Sequence, residues 1–412
     1  MLCSRITRTT ADPAEVNSLH EIIIYTTPWP NFYSCFHNED DLRSGGGEDL
    51  HPKRANRGVD HDALNFLNRH VTSLGIGDQL SQSITEALEW KKRHWLGQVP
   101  DNARDFDDNE RRFAAAALVI LFSLCEKLST IRIADFPTLS REYLLRNNYG
   151  RVGRPGLQQL KTVEFVKESS LDIRSYEDVD LLEYIRCFGK LPLMKTLNMG
   201  GVAEYEINGL IAPGTSSIKN IHLSHAEVSG STLCMIVSAP KALETLKISV
   251  GGLWQRDPGR YSMRPKELGK SLLQHRNTLK VLELDMSEFD YTEGKNWEDD
   301  WMEGLEQRSD EYFQLDRKSN NIPFWLKDIP DDRVYGSTIG SLHDFKSTTH
   351  LSIGISALLG PLDDSGEPPC RLIDALPPNL EYPCLYGYVK RENCKIDNHI
   401  EELLQQERMC LY

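Results

Sequence analysis

One short motif in the chain has residue types that phosphate chemistry uses. Gly269-Lys270-Ser271 resembles the end of a phosphate-binding loop, in which the lysine and the hydroxyl contact phosphate groups. The first glycine position of that motif holds Arg264, and the lysine falls inside a predicted helix rather than in a loop. The motif is therefore incomplete, and we predict no nucleotide cofactor from it.

Other ligand-type residues also fail to form a recognisable site. Cys370, Cys384, Cys394 and His399 have the donor atoms that zinc prefers, but their spacing matches no familiar zinc site. Asp60-His61-Asp62 is better explained as a helix N-cap beside a histidine. The chain also contains no G-x-S-x-G nucleophile motif. We predict no catalytic residue, no metal site and no cofactor.

The strongest pattern in the chain is a short phrase in which apolar residues occupy positions one, four and six. A recurring phrase of this kind is typical of leucine-rich repeats. Eight copies occur, at Leu128–Ile133, Leu160–Phe165, Met194–Met199, Ile218–Leu223, Leu243–Ile248, Leu279–Leu284, Thr348–Ile353 and Leu380–Leu385. We expect each phrase to form a strand of one parallel sheet.

Helical patterns separate the strands and precede the first one. Apolar spacing predicts helices from about Asp60, around Ile84 to Trp95, and through Ala114 to Cys125, with Asp107 or Asp108 capping the third. Later helices are predicted at about 178–188, 230–238, 265–275 and 397–406. Alternating strands and helices predict an α/β fold, here an irregular leucine-rich-repeat solenoid with a curved parallel sheet inside and helices outside.

Composition changes suggest where the solenoid begins and where it is interrupted. Residues 1–58 lack periodic apolar spacing apart from Glu21–Tyr25, so we predict a poorly ordered N-terminal segment. The solenoid then covers residues 59–412, with a helical N-terminal part at 59–127. A long gap between phrases predicts an acidic, aromatic insertion at 286–343, which is either a partner-binding segment or a solvated loop.

The phrases also predict which side chains point away from the core. Successive residues of a strand alternate between its two faces, so position five of each phrase points outward. We predict that a partner binds this row on the concave face, and its candidate residues are Arg132, Glu164, Asn198, His222, Lys247 and Glu283. Opposite charges on neighbouring strands also stabilise a sheet without any ligand, so that simpler interpretation stands beside partner binding.

Overall charge and hydropathy limit the classes of partner. The formal net charge of -14 argues against nucleic-acid binding and favours protein partners, including basic ones. The longest apolar stretch, Phe113–Cys125, is shorter than the roughly 20 residues of a membrane-spanning helix. The nine cysteines form no C-x-x-C pair. We expect an intracellular protein, cytoplasmic or nuclear, that does not enter membranes.

The C-terminal phrases resemble a known family. Leu372–Tyr382 with Leu385–Tyr388, and Leu351–Gly354 with Leu358–Gly360, are similar to the closing repeats of filamentous-fungal leucine-rich-repeat proteins, many of which carry an N-terminal F-box. The resemblance covers roughly residues 60–408. It departs from the family at Pro383, which replaces an apolar residue, and near the N-terminus, where the Leu-Pro-x-Glu core of an F-box is not found.

The resemblance implies a non-enzymatic substrate receptor. In that family the F-box binds the adaptor of a cullin-type ubiquitin ligase, and the solenoid holds the target protein. An adaptor partner is therefore expected only if an F-box exists upstream of this sequence. The alternatives are a stand-alone leucine-rich-repeat scaffold without a ligase role and an α/β enzyme with an unrecognised site.

Overall fold

The structure is a computed structural model that divides the chain into two units. It describes residues 18–24, 61–95, 98, 103–134, 136–167, 176–204, 209–253, 265–285, 314, 338–360, 370–391 and 393–405. Unit 1 is Met1–Leu160 and unit 2 is Lys161–Tyr412. The predicted boundary at residue 58 and almost all of the acidic insertion lie outside the described residues.

In its described residues, unit 1 combines two parallel strands with four helices. Its elements are β1 (Glu21–Ile24), α1 (His61–Ser73), α2 (Asp78–Trp95), α3 (Ala103–Leu124), β2 (Thr130–Ile133) and α4 (Thr138–Asn148). Strand β1 pairs with β2 in parallel, with Ile22 opposite Ile131. The first three helices occupy the stretch for which apolar spacing predicted them, whereas α4 was not predicted.

One detail of the helix predictions in unit 1 is wrong. Helix α3 begins at Ala103, so Asp107 and Asp108 lie within the helix and neither of them caps it. A carboxylate suits the positive end of the helix dipole both at the cap and in the first turns, so residue type alone does not fix the first helical residue. Helix α1 ends shortly before Gly75 and Gly77, which adopt φ values of 60° and 87° that favour glycine.

The described part of unit 2 contains one sheet of seven parallel strands. They are β3 (Thr162–Phe165), β5 (Thr196–Gly200), β7 (Asn220–Ala226), β8 (Thr245–Val250), β9 (Val281–Asp285), β10 (His350–Gly354) and β11 (Tyr382–Tyr386), and they pair in this order. Two short strands, β4 (Glu177–Asp178) and β6 (Val202–Ala203), form a separate parallel pair. The α/β class with parallel strands is therefore confirmed.

Helices alternate with these strands along the chain. They are α5 (Leu181–Phe188), α6 (Gly230–Ser238), α7 (Pro265–Leu273), α8 (Ile355–Leu359), α9 (Leu372–Ala375) and α10 (Cys394–Gln405). Asp180 caps α5 by accepting the N–H of Glu183 at 3.0 Å, and Ser229 caps α6 by accepting the N–H of Thr232 at 3.1 Å. The apolar positions of the phrases from β3 to β10 face the core: Leu197, Leu246 and Leu282 are at most 1% exposed. In the last phrase Leu380, Pro383 and Leu385 are only partly buried.

A buried histidine joins helix α6 to the segment before β8. The Nδ1 atom of His275 accepts the N–H of Leu243 at 3.2 Å, and its Nε2 atom lies 2.8 Å from the carbonyl oxygen of Val237, to which it donates. These two contacts require the neutral ring with its proton on Nε2. Burial lowers the pKa of His275, although the hydrogen bond to Val237 opposes this effect. The fold therefore holds this histidine neutral.

Unit 2 also buries a carboxyl group that lacks side-chain hydrogen bonds of normal geometry. Glu204 is 3% exposed, and neither of its oxygens completes such a hydrogen bond in the described part of the chain. Burial raises the pKa of Glu204 well above its ordinary value, and the charge of Asp180 adds to this effect while Arg186 opposes it. Arg186 has its own ion pair with Glu183 at 2.8 Å. Burial therefore favours the protonated form of Glu204, although a backbone hydrogen bond from Leu181 also opposes the shift.

Strand β11 is the last strand of the sheet within the described residues, and a proline modifies its outer edge. Tyr382 donates its N–H to the carbonyl oxygen of Thr349 in the segment leading into β10, at 2.9 Å. Backbone N–H groups alternate between the two sides of a strand. The next residue, Pro383, thus stands where an N–H would point to the outer edge, and it removes that donor. A proline at this place weakens the edge as a template for strand addition.

Candidate protein-binding surface

The outward row predicted from the phrases is present in unit 2. The strand register places Glu164 beside Asn198, Asn198 beside His222, His222 beside Lys247, and Lys247 beside Glu283. All five side chains are partly exposed, between core positions that are buried. The row extends to Ser352 and Cys384 on β10 and β11. We call Glu164, Asn198, His222, Lys247 and Glu283 the outward row.

The sixth predicted residue, Arg132, belongs to unit 1. It lies opposite Ile23 in the pairing of β1 with β2, and its guanidinium forms an ion pair with Glu21 of β1 at 3.0 Å. In the sequence, Glu21 stands out only as the start of an isolated apolar stretch. Nothing in that stretch indicates a pairing with β2, because the two segments are more than 100 residues apart along the chain.

Part of the outward row is neutralised within the sheet. Lys247 Nζ lies 2.8 Å from Glu283 Oε1, and the two side chains are 43% and 42% exposed. An exposed cross-strand ion pair of this kind stabilises a sheet by about 0–1 kcal/mol. For these two residues the structure shows the charge pairing on which the simpler interpretation rests. Asn198 and His222 lie beyond this pair.

The centre of the outward row is polar and uncharged. Burial lowers the pKa of His222, with a further contribution from Lys247, so the imidazole is neutral at pH 7. The Oδ1 atom of the neighbouring Asn198 is buried and accepts no hydrogen bond in the described part of the chain. A buried amide oxygen without a donor costs free energy. A donor from a bound protein, reached after a side-chain rotation, would remove that cost.

A second row runs beside the first on the same face. Its residues are Thr162, Thr196, Asn220, Thr245, Val281, His350 and Tyr382. Asn220 donates to the hydroxyl of Thr196 at 3.2 Å. At the far end the rings of His350 and Tyr382 stack with centroids 4.3 Å apart, and Tyr382 is 61% exposed. The face therefore ends in an aromatic pair.

Sequence patterns alone gave no role to this aromatic pair. His350 and Tyr382 occupy equivalent positions of two phrases, so their side-by-side placement follows from the repeat. Their stacking depends on ring orientations that the repeat does not specify. Exposed tyrosine is enriched at the centres of protein interfaces, because one ring supplies a large apolar area and a polar tip.

The motifs with potential chemistry do not assemble into a site. Helix α7 contains Gly269, Lys270 and Ser271, so these residues do not form a phosphate-binding loop. Gly269 has a packing role instead: a Cβ there would lie 1.9 Å from the carbonyl oxygen of Ile339. The glycine permits this close approach of the chain.

The candidate metal ligands are not gathered either. In the ranges that the structure describes, no three side chains of His, Cys, Asp and Glu come together as a metal site would require. His399 instead accepts the N–H of Leu372 on its Nδ1 atom at 3.3 Å. Of the Asp60-His61-Asp62 group, Asp60 and the His61 side chain lie outside the described residues, and Asp62 is exposed in the first turn of α1.

Comparison with protein-family models, with curated proteins and with solved structures finds no match to this chain. Among the described helices, none is long and apolar enough to cross a membrane.

Proposed function

We propose that the chain is a non-enzymatic protein-binding module whose sheet face, carrying the outward row, contacts the partner. The observation that carries this proposal is the strand register, which sets five predicted residues from five different strands side by side. A polar sheet face that ends in an aromatic pair has the composition of a protein-binding surface. Rigid strands also hold such a surface in place without ordering cost at binding.

The fold supports a finer proposal about architecture. Strands from all eight phrases, with helices between most of them, are what an irregular leucine-rich-repeat solenoid with an inner parallel sheet would contain. The outward row would then lie on its concave side. The six cysteines within the described ranges are free thiols, which agrees with a reducing, intracellular location, cytoplasmic or nuclear.

The resemblance of the C-terminal phrases supports a role as the substrate-binding part of an F-box ubiquitin-ligase receptor. The alternative within the same class is a stand-alone scaffold. The receptor would bind the adaptor of the ligase, and the stand-alone scaffold would not. Recovery of that adaptor with the chain would favour the receptor, and recovery of target proteins without it would favour the scaffold.

The outward row can be tested by affinity purification from cell extract with quantitative mass spectrometry. The test variant is Asn198→Arg with His222→Glu, which changes the centre of the row without changing the net charge. The matched control is Arg276→Glu with Glu401→Arg, at two exposed positions away from the row. Circular dichroism checks that both variants fold.

We expect the wild type and the control to recover the same proteins. The row variant should recover them at about one tenth of the amount or less, as expected when central contacts of an interface are lost. Equal recovery by all three proteins would contradict the proposal that the outward row binds the partner.

A further inference from the structure

A second set of charges lies at the end of the sheet where the strands begin. Thr349 and Glu381 precede the last two strands of that sheet, β10 and β11. The residue just before each of the five earlier strands is Lys161 for β3, Lys195 for β5, Lys219 for β7, Glu244 for β8 and Lys280 for β9. We call these five residues the lysine row. Four cations against one anion make a local excess of positive charge on a chain whose net charge is -14.

The backbone fixes the spacing of the lysine row. The carbonyl oxygen of Lys161 accepts the N–H of Lys195 at 2.9 Å, and that of Lys195 accepts the N–H of Lys219 at 2.8 Å. The same contact joins Lys219 to Glu244 at 2.7 Å and Glu244 to Lys280 at 2.8 Å. Neighbouring positions are therefore about 4.8 Å apart, the usual separation of paired strands. The backbones of these residues cannot move apart without breaking the hydrogen bonds between the strands.

Two lysines of the lysine row form ion pairs with its glutamate, and the other two do not. Glu244 lies 2.6 Å from Lys219 and 2.7 Å from Lys280, and these two hydrogen bonds lower the pKa of Glu244. Lys161 and Lys195 are exposed, and neither forms an ion pair with any residue in the described ranges. Within the part of the chain that the structure describes, two adjacent cations thus lie side by side without a counter-charge, an arrangement that a bound anion would stabilise.

We propose that the lysine row binds an acidic segment, rich in Asp and Glu, of a partner protein. Carboxylates spaced along an extended peptide match a row of ammonium groups, and the flexible lysine stems tolerate differences in spacing. A nucleic acid fits less well, because it carries a charge at every phosphate and its binding uses more cationic contacts than the four lysines of the row supply. This surface is separate from the outward row, so either proposal can fail while the other stands.

Binding of a fluorescein-labelled Glu-Gly repeat peptide to the full chain tests the proposal, with fluorescence anisotropy as the measurement at low salt. Lys161→Glu with Lys195→Glu should weaken binding about tenfold or more, since two cationic contacts become repulsive. Glu244→Gln should tighten binding about threefold, because it removes the anion and releases Lys219 and Lys280. Added salt should weaken wild-type binding.

A charge-matched control separates the lysine row from general electrostatics. Lys270→Glu with Lys390→Glu changes the net charge by the same amount at exposed positions outside the row, and should leave the affinity within about twofold of the wild type. Circular dichroism checks that the variants fold. If the double lysine variant does not fold, the affinity of Glu244→Gln alone tests whether the lysine row binds the peptide.

Four outcomes would overturn the proposal. They are absence of wild-type binding at low salt, equal loss of affinity in the control and the lysine variant, no gain with Glu244→Gln, and tighter binding of a single-stranded oligonucleotide of the same length. The last outcome would assign the lysine row to nucleic acid.

Discussion

Replacing Gly269 with alanine would place a methyl group against the backbone of a distant segment. The new Cβ would lie 1.9 Å from the carbonyl oxygen of Ile339, and Cβ contacts under 3.0 Å are essentially never seen. The obstacle is itself held in place, because the N–H of Ile339 donates to the carbonyl oxygen of Ala357 at 2.9 Å. To accommodate alanine, the segment must move by about 1 Å and strain or lose that hydrogen bond.

The competing terms give the expected magnitude. Overpacking costs about 1–3 kcal/mol. The weakened hydrogen bond adds about 1 kcal/mol. The higher helix propensity of alanine offsets about 1 kcal/mol of this cost, because alanine is more favourable than glycine in a helix interior. We therefore expect Gly269→Ala to lower the free energy of unfolding by about 2 kcal/mol.

Urea denaturation followed by circular dichroism measures this change. Lys270→Ala, at an exposed position of the same helix, is the control and should stay within about 0.5 kcal/mol of the wild type. If Gly269→Ala were as stable as the wild type or more stable, helix propensity would outweigh the contact with Ile339. The packing explanation for this glycine would then be wrong.

Three further changes test other parts of unit 2. Below about pH 6.5 a histidine in the unfolded chain takes up a proton, whereas folded His275 stays neutral because burial lowers its pKa. The free energy of unfolding therefore decreases as the pH decreases. His275→Gln should flatten this decline in urea titrations at several pH values, and an unchanged slope would exclude the role. Pro383→Val restores an N–H on the outer edge of β11 and should promote self-association in size-exclusion light scattering. A mass like that of a Pro378→Ala control would count against it. Glu204→Met removes a buried carboxyl and should raise the free energy of unfolding by about 1–3 kcal/mol at pH 7, whereas a decrease in the same assay would contradict the inferred cost.

The sequence predicted the outward orientation of these side chains correctly because every phrase repeats the same apolar positions. Apolar residues at positions four and six bury one face of a strand, and the period of two then turns position five outward. Equal phrases also align with each other when parallel strands pair, so the spacing of the phrases was enough to place Asn198 beside His222. Helices α5, α6 and α7 were also predicted from the sequence, whereas α4, α8 and α9 were not.

The lysine row was missed for a physical reason. Its residues occupy position two of their phrases, and extending the period of two backward from Thr162 would turn Lys161 toward the core. The strand starts only after that residue, so the alternation does not apply to it and the side chain is exposed. A survey of position two in all phrases would have found the lysines, but not their exposure.

Charge is another property that the sequence determined only in total, whereas its distribution depended on the folded structure. Composition alone gave a charge of -14 and favoured basic partners, and that inference concerns the chain as a whole. Pairing of the strands decided that four lysines distant in sequence meet at one end of the sheet, with Glu244 between two of them. Contacts between residues far apart in the chain, such as Gly269 against Ile339, also depend on tertiary packing. Local patterns determined the strands and their faces, and only the folded structure decided which charges and backbones came together.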